Sequence, residues 1–235
     1  MDLRNRKDLV YLILAGLFVC NAILGEVLGG KLIAVGPYIM SIGVIPWPVV
    51  FLTTDLMNEY FGRPGVRRLT WLTVGLILYA FVVIFAAMSV PAASVSPVND
   101  TAFSMVFGQS LWIIVGSVVA FTISQLLDVF IFWVFRDKTK GRHLWLRATG
   151  STAFSQLVDT FVILGIAFYL PGKIGGGDYV RLSLTNYTYK LGIAIALTPV
   201  IYAAHNAIDR YLGHRQAHDL IEEAVEKSHA RSLSP

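Results

Sequence analysis

The chain has 235 residues, 55% of them hydrophobic and only 14% charged. Ordinary soluble domains carry about 25% charged residues, so this composition, with a mean hydropathy of +0.63, excludes a conventional water-soluble globule. The formal charge of +4 does not point to a nucleic-acid partner, because the basic residues are confined to alternate segments.

Arg4, Arg6 and Lys7 precede the first apolar run. Arg63, Arg67 and Arg68 follow the second; Arg136, Lys138, Lys140, Arg142 and Arg147 follow the fourth; Arg210, Arg215, Lys227 and Arg231 follow the last. The intervening segments hold only Lys31, Lys173 and Arg181. This is the positive-inside pattern, and it places both termini in the cytoplasm. Runs approaching the roughly 20 apolar residues that cross a bilayer lie near 9–29, 46–61, 69–90, 110–135, 149–170 and 187–209. The expectation is an all-α, multi-pass inner-membrane protein of about six spans. It divides into an N-terminal arm at 1–8, a membrane domain at 9–213 and a cytoplasmic tail at 214–235. Lipid is the solvent of the outer surface, and a homodimer is compatible with this reading.

The first span reads as a retained helix, since no A-x-A-type cleavage site follows it. Its Cys20, the single cysteine, reads as packing filler. Gly36, Pro37, Gly43, Pro46 and Pro48 then forbid a straight helix. Residues 31–45 read either as a broken or re-entrant element on the outer side or as an ordinary loop. Pro46 or Pro48 suits the first turn of the second helix.

That helix ends in "TTDLMNEYFG" (53–62). Asp55, Asn58 and Glu59 fall at i, i+3 and i+4, on one face. Carboxylates in the C-terminal half of a helix oppose its dipole, so Asp55 calls for a partner helix or a ligand. Glu59 reads as a site residue or as a polar helix end compensated by Arg63, Arg67 or Arg68.

The fourth and fifth spans carry "SQLLDVF" (124–130) and "SQLVDTF" (155–161), the same Ser-Gln-x-x-Asp pattern twice. Asp128 lies eight residues above Arg136, roughly 12 Å at a helical rise, and Gln156 roughly 13.5 Å above Arg147. Gln125 and Asp159 come out at roughly 16.5 and 18 Å. In an antiparallel pair each aspartate is then level with the other helix's glutamine, near the midplane where inverted-repeat transporters bind substrate. The serines read as interhelical glue, and the glutamines as glue or ligand contacts. An aspartate costs about 2.5–3.5 kcal/mol at a helix centre. Two of them, where asparagine would glue as well, read as functional.

The sixth span opens with "NYTYK" (186–190). Lys190 reads as a snorkelling or site residue, and Tyr187 and Tyr189 as belt aromatics or site residues. Glu26 reads as interfacial, and His205, Asn206 and Asp209 as solvated capping residues. The tail spaces Leu220, Ile221, Ala224 and Val225 as an amphipathic helix, solvated or loosely docked. No H-E-x-x-H, G-x-S-x-G or clustered Cys/His is present, so no metal, cofactor or catalytic residue is assigned.

Together, "TDLMNEYFG", "SQLLDVF", "FSQLVDTF" and "NYTYK", in this order, resemble the queuosine precursor transporters, also called the vitamin uptake transporter family, over roughly residues 10–212. The resemblance implies a six-helix carrier that imports 7-cyano- or 7-aminomethyl-7-deazaguanine without an ATPase. It also implies kinship with the substrate-binding subunits of energy-coupling-factor transporters. For such a purine-like cargo the candidate contacts are Asp128, Asp159, Gln125, Gln156, Asp55, Asn58, Glu59, Asn186, Lys190 and Tyr187. A carboxylate accepts the adjoining N–H and amino group of a guanine-type edge, an amide or Lys190 donates to its carbonyl, and an aromatic stacks on the ring. Trp47, Phe51, Trp133, Tyr187 and Tyr189 are the aromatic candidates. The expectation leans to the neutral cyano compound, because a dry site disfavours a second free ionised carboxylate and Lys190 can donate to the nitrile. The alternatives are an ATPase-dependent vitamin-binding subunit, docking through Gly25-x-x-x-Gly29, and an intramembrane aspartyl enzyme.

Overall fold

The computed structural model describes residues 5–36 and 38–230; Arg4, Pro37 and Arg231, named above, lie outside the described residues. Helix α1 (Arg6–Val27) starts at Asn5, whose side chain accepts the Lys7 N–H, as an N-cap does. Beyond it, β1 (Leu32–Val35) and β2 (Tyr38–Ser41) pair antiparallel, Leu32 opposite Ser41 and Val35 opposite Tyr38. The 31–45 segment is therefore a broken element, a hairpin followed by a short 3-10 turn at Ile42–Val44. Gly36, at φ +57°, supplies the reversal, and strand pairing satisfies backbone groups that a helix could not.

Helix α2 (Trp47–Met88) contains both the second and third expected spans. It is broken at Gly62, whose φ of 73° and ψ of 174° are non-helical. A left-handed glycine ends the first limb, and Pro64 suits the first turn of the second. A Cβ on Gly62 would also sit 2.7 Å from both the Ala224 carbonyl oxygen and Ser228 Oγ. The ends of the limbs are fixed by contacts. Trp47 lies against Gly25, Gly62 against the tail, and Met88 against Gly108. Gln109 ties the Gly25 and Gly108 neighbourhoods together by donating to the carbonyls of Glu26 and Val27. The chain thus runs from one end of the bundle to the other and back.

There follow α3 (Asp100–Phe107), α4 (Leu111–Thr139), α5 (Leu144–Leu164) with a π-turn at Gly165–Tyr169, α6 (Gly176–Leu212) and α7 (His214–Ala230). Among the described residues, five helical stretches are long and apolar enough to cross a membrane: Arg6–Gly30, Ile42–Met88, Asp100–Thr139, Leu144–Tyr169 and Gly176–Leu212. Leu12, Ile13, Val82, Phe130 and Ile195 face outward, whereas Thr53, Asp55, Asn58, Gln125, Asp128 and Gln156 are buried. That distribution fits a bundle whose surroundings are apolar and whose interior has polar work to do.

The tail is not loosely docked. Ala217, Leu220, Ala224 and Ser228 of α7 are buried, and Ile221 and Val225 pack at the margin of the core. Ser228 Oγ accepts the Arg63 N–H, filling the break in α2. Glu223 binds Lys7 at 3.1 Å and Lys227 at 2.5 Å. These two ammonium groups, Lys227 foremost, hold its carboxyl below the usual range. Asp209 is likewise an anchor and not a solvated cap: the buried Tyr60 hydroxyl donates to it at 2.6 Å.

Candidate functional site

Helices α4 and α5 pack side by side, and their repeated triplets face each other. Ser124 donates to Asp159 Oδ1 at 3.2 Å, and Ser155 donates to Asp128 Oδ1 at 3.0 Å. The serines therefore do glue the helices, each clasping the aspartate of the opposite triplet. This reciprocal pairing puts both triplets at one depth, because equal spacing on antiparallel helices meets only when the motifs are level. Thr152 adds a hydroxyl to Asp128 Oδ1 at 3.4 Å. Asp128 Oδ2, buried, has no hydrogen-bond partner among the described residues.

The first limb of α2 closes the third side. Gln125 donates its amide to Thr54 Oγ1 at 2.9 Å. Phe51, Thr54, Ser124, Gln125, Asp128, Thr152, Ser155 and Gln156 line a narrow cleft. A neighbouring narrow cleft shares Phe51 and Thr152 with it and is lined by Asp55, Thr149, Leu197, Thr198 and Ile201. Asp55 Oδ1 is also buried and unpartnered. Buried polar atoms are nearly always paired, so two unpaired carboxylate oxygens on adjoining clefts make this the candidate site. Of the aromatic candidates only Phe51 lines these clefts, stacked on Trp47 with ring centroids 6.2 Å apart.

The other expected residues sit at different levels. Glu59, one turn beyond Asp55, is clamped between two guanidiniums, Arg136 at 2.7 Å and Arg147 at 2.7 Å. Its partners are thus on α4 and α5, and not Arg63, Arg67 or Arg68. The buried triad closes the clefts on the side of the Gly62 break. Asn58 accepts the Trp133 indole N–H at 3.3 Å. An indole only donates, so Asn58 Oδ1 is the acceptor and its Nδ2, which is buried without a partner, remains a free donor. Asp159 Oδ2 holds Lys190 at 2.6 Å; Lys190 reaches inward rather than snorkelling. Asn186, one turn from Lys190, donates to the Leu182 carbonyl of its own helix, and Tyr187 is half-buried. Neither lines the two clefts. Thr54, Thr149, Thr152 and Thr198 were not singled out from the sequence, since threonine in an apolar helix carries no distinctive signal. Glu26 is buried, not interfacial, and accepts the Ser117 hydroxyl.

Breaking the triad should be costly. Glu59→Gln leaves two buried guanidiniums sharing one neutral amide, a loss of about 3–5 kcal/mol. Thermal unfolding of the purified protein should show it as a large fall in midpoint, and an unchanged midpoint would remove the triad from the account of stability.

Residues 41–204, which span both triplets, match the family described as "Putative vitamin uptake transporter". The chain belongs to this family. Proteins similar to it include a Bacillus subtilis (strain 168) protein named "Probable queuosine precursor transporter", 32% identical over 169 residues, which are 72% of each chain. The Escherichia coli (strain K12) "Queuosine precursor transporter" is 30% identical over 172 residues, 68% of this chain and 70% of its own. A Haemophilus influenzae relative with the same name as the Bacillus protein is 31% identical over 183 residues, 72% of this chain and 70% of its own. No solved structure matches the chain. In this family member the small-residue face at Gly25 and Gly29 is occupied. Trp47 packs on Gly25, while Gln109 and Ser41 pack on Gly29.

Proposed function

We infer that this protein is a multi-pass inner-membrane carrier that imports a queuosine precursor, 7-cyano- or 7-aminomethyl-7-deazaguanine. The observation that carries the reading is the pair of unpartnered oxygens, Asp55 Oδ1 and Asp128 Oδ2, on clefts lined by amides and Phe51. This donor-seeking lining suits a guanine-type edge, in a chain whose relatives are named for that cargo. Asp128 reads the N–H and amino pair through its free Oδ2, Gln125 or Gln156 serves the ring carbonyl, and Phe51 stacks on the ring. Asp159, Lys190, Asn58 and Glu59 support the cleft from above and below, and Asn186 and Tyr187 stand on the approach from the outer end.

The topology that goes with this reading has six crossings, the two limbs of α2 counting separately, in a membrane domain at 9–213. The basic segments on the side of Gly62, the α4–α5 turn and α7 face the cytoplasm. The protein works without an ATPase and without catalysis. The occupied Gly25 and Gly29 face supports the first point. Asp128 and Asp159, each held by its own hydroxyl or lysine partners rather than by one another, support the second.

The decisive measurement is queuosine in the tRNA of a cell that needs external precursor and lacks its own importer. Expression of this chain should restore the modified base when either precursor is fed at low concentration. No queuosine, with the protein present in the membrane, would sink the reading.

A further inference from the structure

The carboxylates inside the bundle differ in what answers them. Glu59 has two arginines, and Asp159 has Lys190. Asp55 and Asp128 face the clefts. Glu26 fits none of these descriptions. It is 4% exposed, lines neither cleft and pairs with no cation among the described residues. The Ser117 hydroxyl holds Oε2, while Oε1 is buried and unpartnered. It also lies outside residues 41–204, the stretch matched to the family.

Its surroundings are specific. From α4 it meets Ser117, and Gln109 donates to its backbone carbonyl. From α2 the neutral Trp47 packs beside it on Gly25. The charges that act on it are Asp159 of α5 and Lys190 of α6, and Lys31 at the foot of the hairpin is exposed. A glutamine would accept from Ser117 and tie α1 to α4 equally well, so helix packing does not require a carboxyl here.

We propose that Glu26 is the proton-coupling residue of the carrier, making import a symport of one proton with each cargo molecule. The proposal rests on the transport reading above. In the first state of the proposed cycle the Glu26 carboxyl carries the proton on Oε1, which has no other partner, and Lys190 is bound to Asp159. When that proton leaves toward the cytoplasm, a second anion stands near Lys190 and competes for it. Lys190 drawn toward Glu26 relaxes its hold on Asp159, whose other oxygen receives Ser124 from the cleft wall. Proton occupancy at Glu26 is thereby linked to the clasp that joins α4 to α5. The balance is simple: the proton bound from outside is the one released inside, and no bond to the cargo changes.

The test uses purified full-length protein in liposomes, with labelled 7-cyano-7-deazaguanine, which is neutral, and the membrane potential clamped by valinomycin and equal potassium. With one proton per cargo, an inward gradient of one pH unit should drive up to about tenfold accumulation, since one unit is about 1.4 kcal/mol. Glu26→Gln should keep counterflow exchange of labelled for unlabelled cargo but bring the accumulation ratio to about one, the uncoupled limit. Wild-type counterflow without any response to the gradient overturns coupling while leaving the carrier intact. Absence of counterflow strikes the transport reading instead. A Glu26→Gln protein that accumulates like wild type shows that the carboxyl is only a helix tie. If that variant does not fold, wild type treated with dicyclohexylcarbodiimide decides. Accumulation should fall in step with modification of the Glu26 peptide; modification without loss, or no modification, overturns the assignment.

Discussion

Uptake of labelled precursor should fall by about 10- to 100-fold when Asp128 is replaced by asparagine, because a hydrogen bond to a charged group is worth about 1.5–3 kcal/mol and each 1.4 kcal/mol is a factor of ten. The protein should remain in the membrane at wild-type amount, since an asparagine Oδ1 can still accept from Ser155 and Thr152, which hold Asp128 now. What it loses is the free Oδ2, where an amide nitrogen would present donors to the cargo's donors. Asp159→Asn should also abolish uptake, by a different route: it strands Lys190, now 2.6 Å from Asp159, as an unpaired, partly buried cation. Removing that cation as well, in Asp159→Asn with Lys190→Gln, should restore cargo binding, whereas no change at Lys190 should rescue Asp128→Asn. Normal uptake by both single variants would dismantle the site. Rescue of Asp128→Asn by the lysine change would mean that the two aspartates have been assigned the wrong way round.

Much of this architecture was legible in the sequence because the controlling terms are local. Hydropathy runs mark the spans, and the i, i+3, i+4 spacing puts Asp55, Asn58 and Glu59 on one face. Matched distances from the basic turn set both triplets at one depth, which the reciprocal Ser124–Asp159 and Ser155–Asp128 bonds bear out. What escaped depends on partners far away in the chain. Glu59 found Arg136 and Arg147 instead of the nearby Arg63, Arg67 or Arg68, because those follow the break at Gly62 and the nearest buried guanidiniums come from α4 and α5. Lys190 has a stem long enough to snorkel outward, but the uncompensated Asp159 made the inward rotamer the better one. Glu26 at a helix end looks interfacial until the hairpin and Gln109 cover it. The tail's amphipathic spacing was visible, but not that Gly62 leaves a gap only Ala224 and Ser228 fill.

The same partner logic changes the expected choice between precursors. The sequence favours a neutral cargo on the grounds that Lys190 can donate to a nitrile and that a second free carboxylate is unwelcome in a dry site. Lys190 is committed to Asp159, and two carboxylates without a cation of their own, Asp55 and Asp128, face adjoining clefts. Arg147 is already bound to Glu59. If Asp128, which shares its cleft with Gln125 and Gln156, reads the guanine-type edge as proposed, Asp55 is left for the substituent on the five-membered ring. A buried charge is tolerated when it is paired; an aminomethyl ammonium pairs Asp55, and a nitrile does not. The aminomethyl precursor should therefore bind about tenfold tighter than the cyano compound at neutral pH, the value of one modest charge-assisted hydrogen bond. Asp55→Asn should erase that preference by weakening the aminomethyl compound alone, and Asp128→Asn should weaken both. Direct binding of the two compounds to wild type and both variants decides the matter. Tighter binding of the cyano compound, or an Asp55→Asn loss shared equally between the two, would return Asp55 to the edge and leave the ammonium without a partner in this cleft.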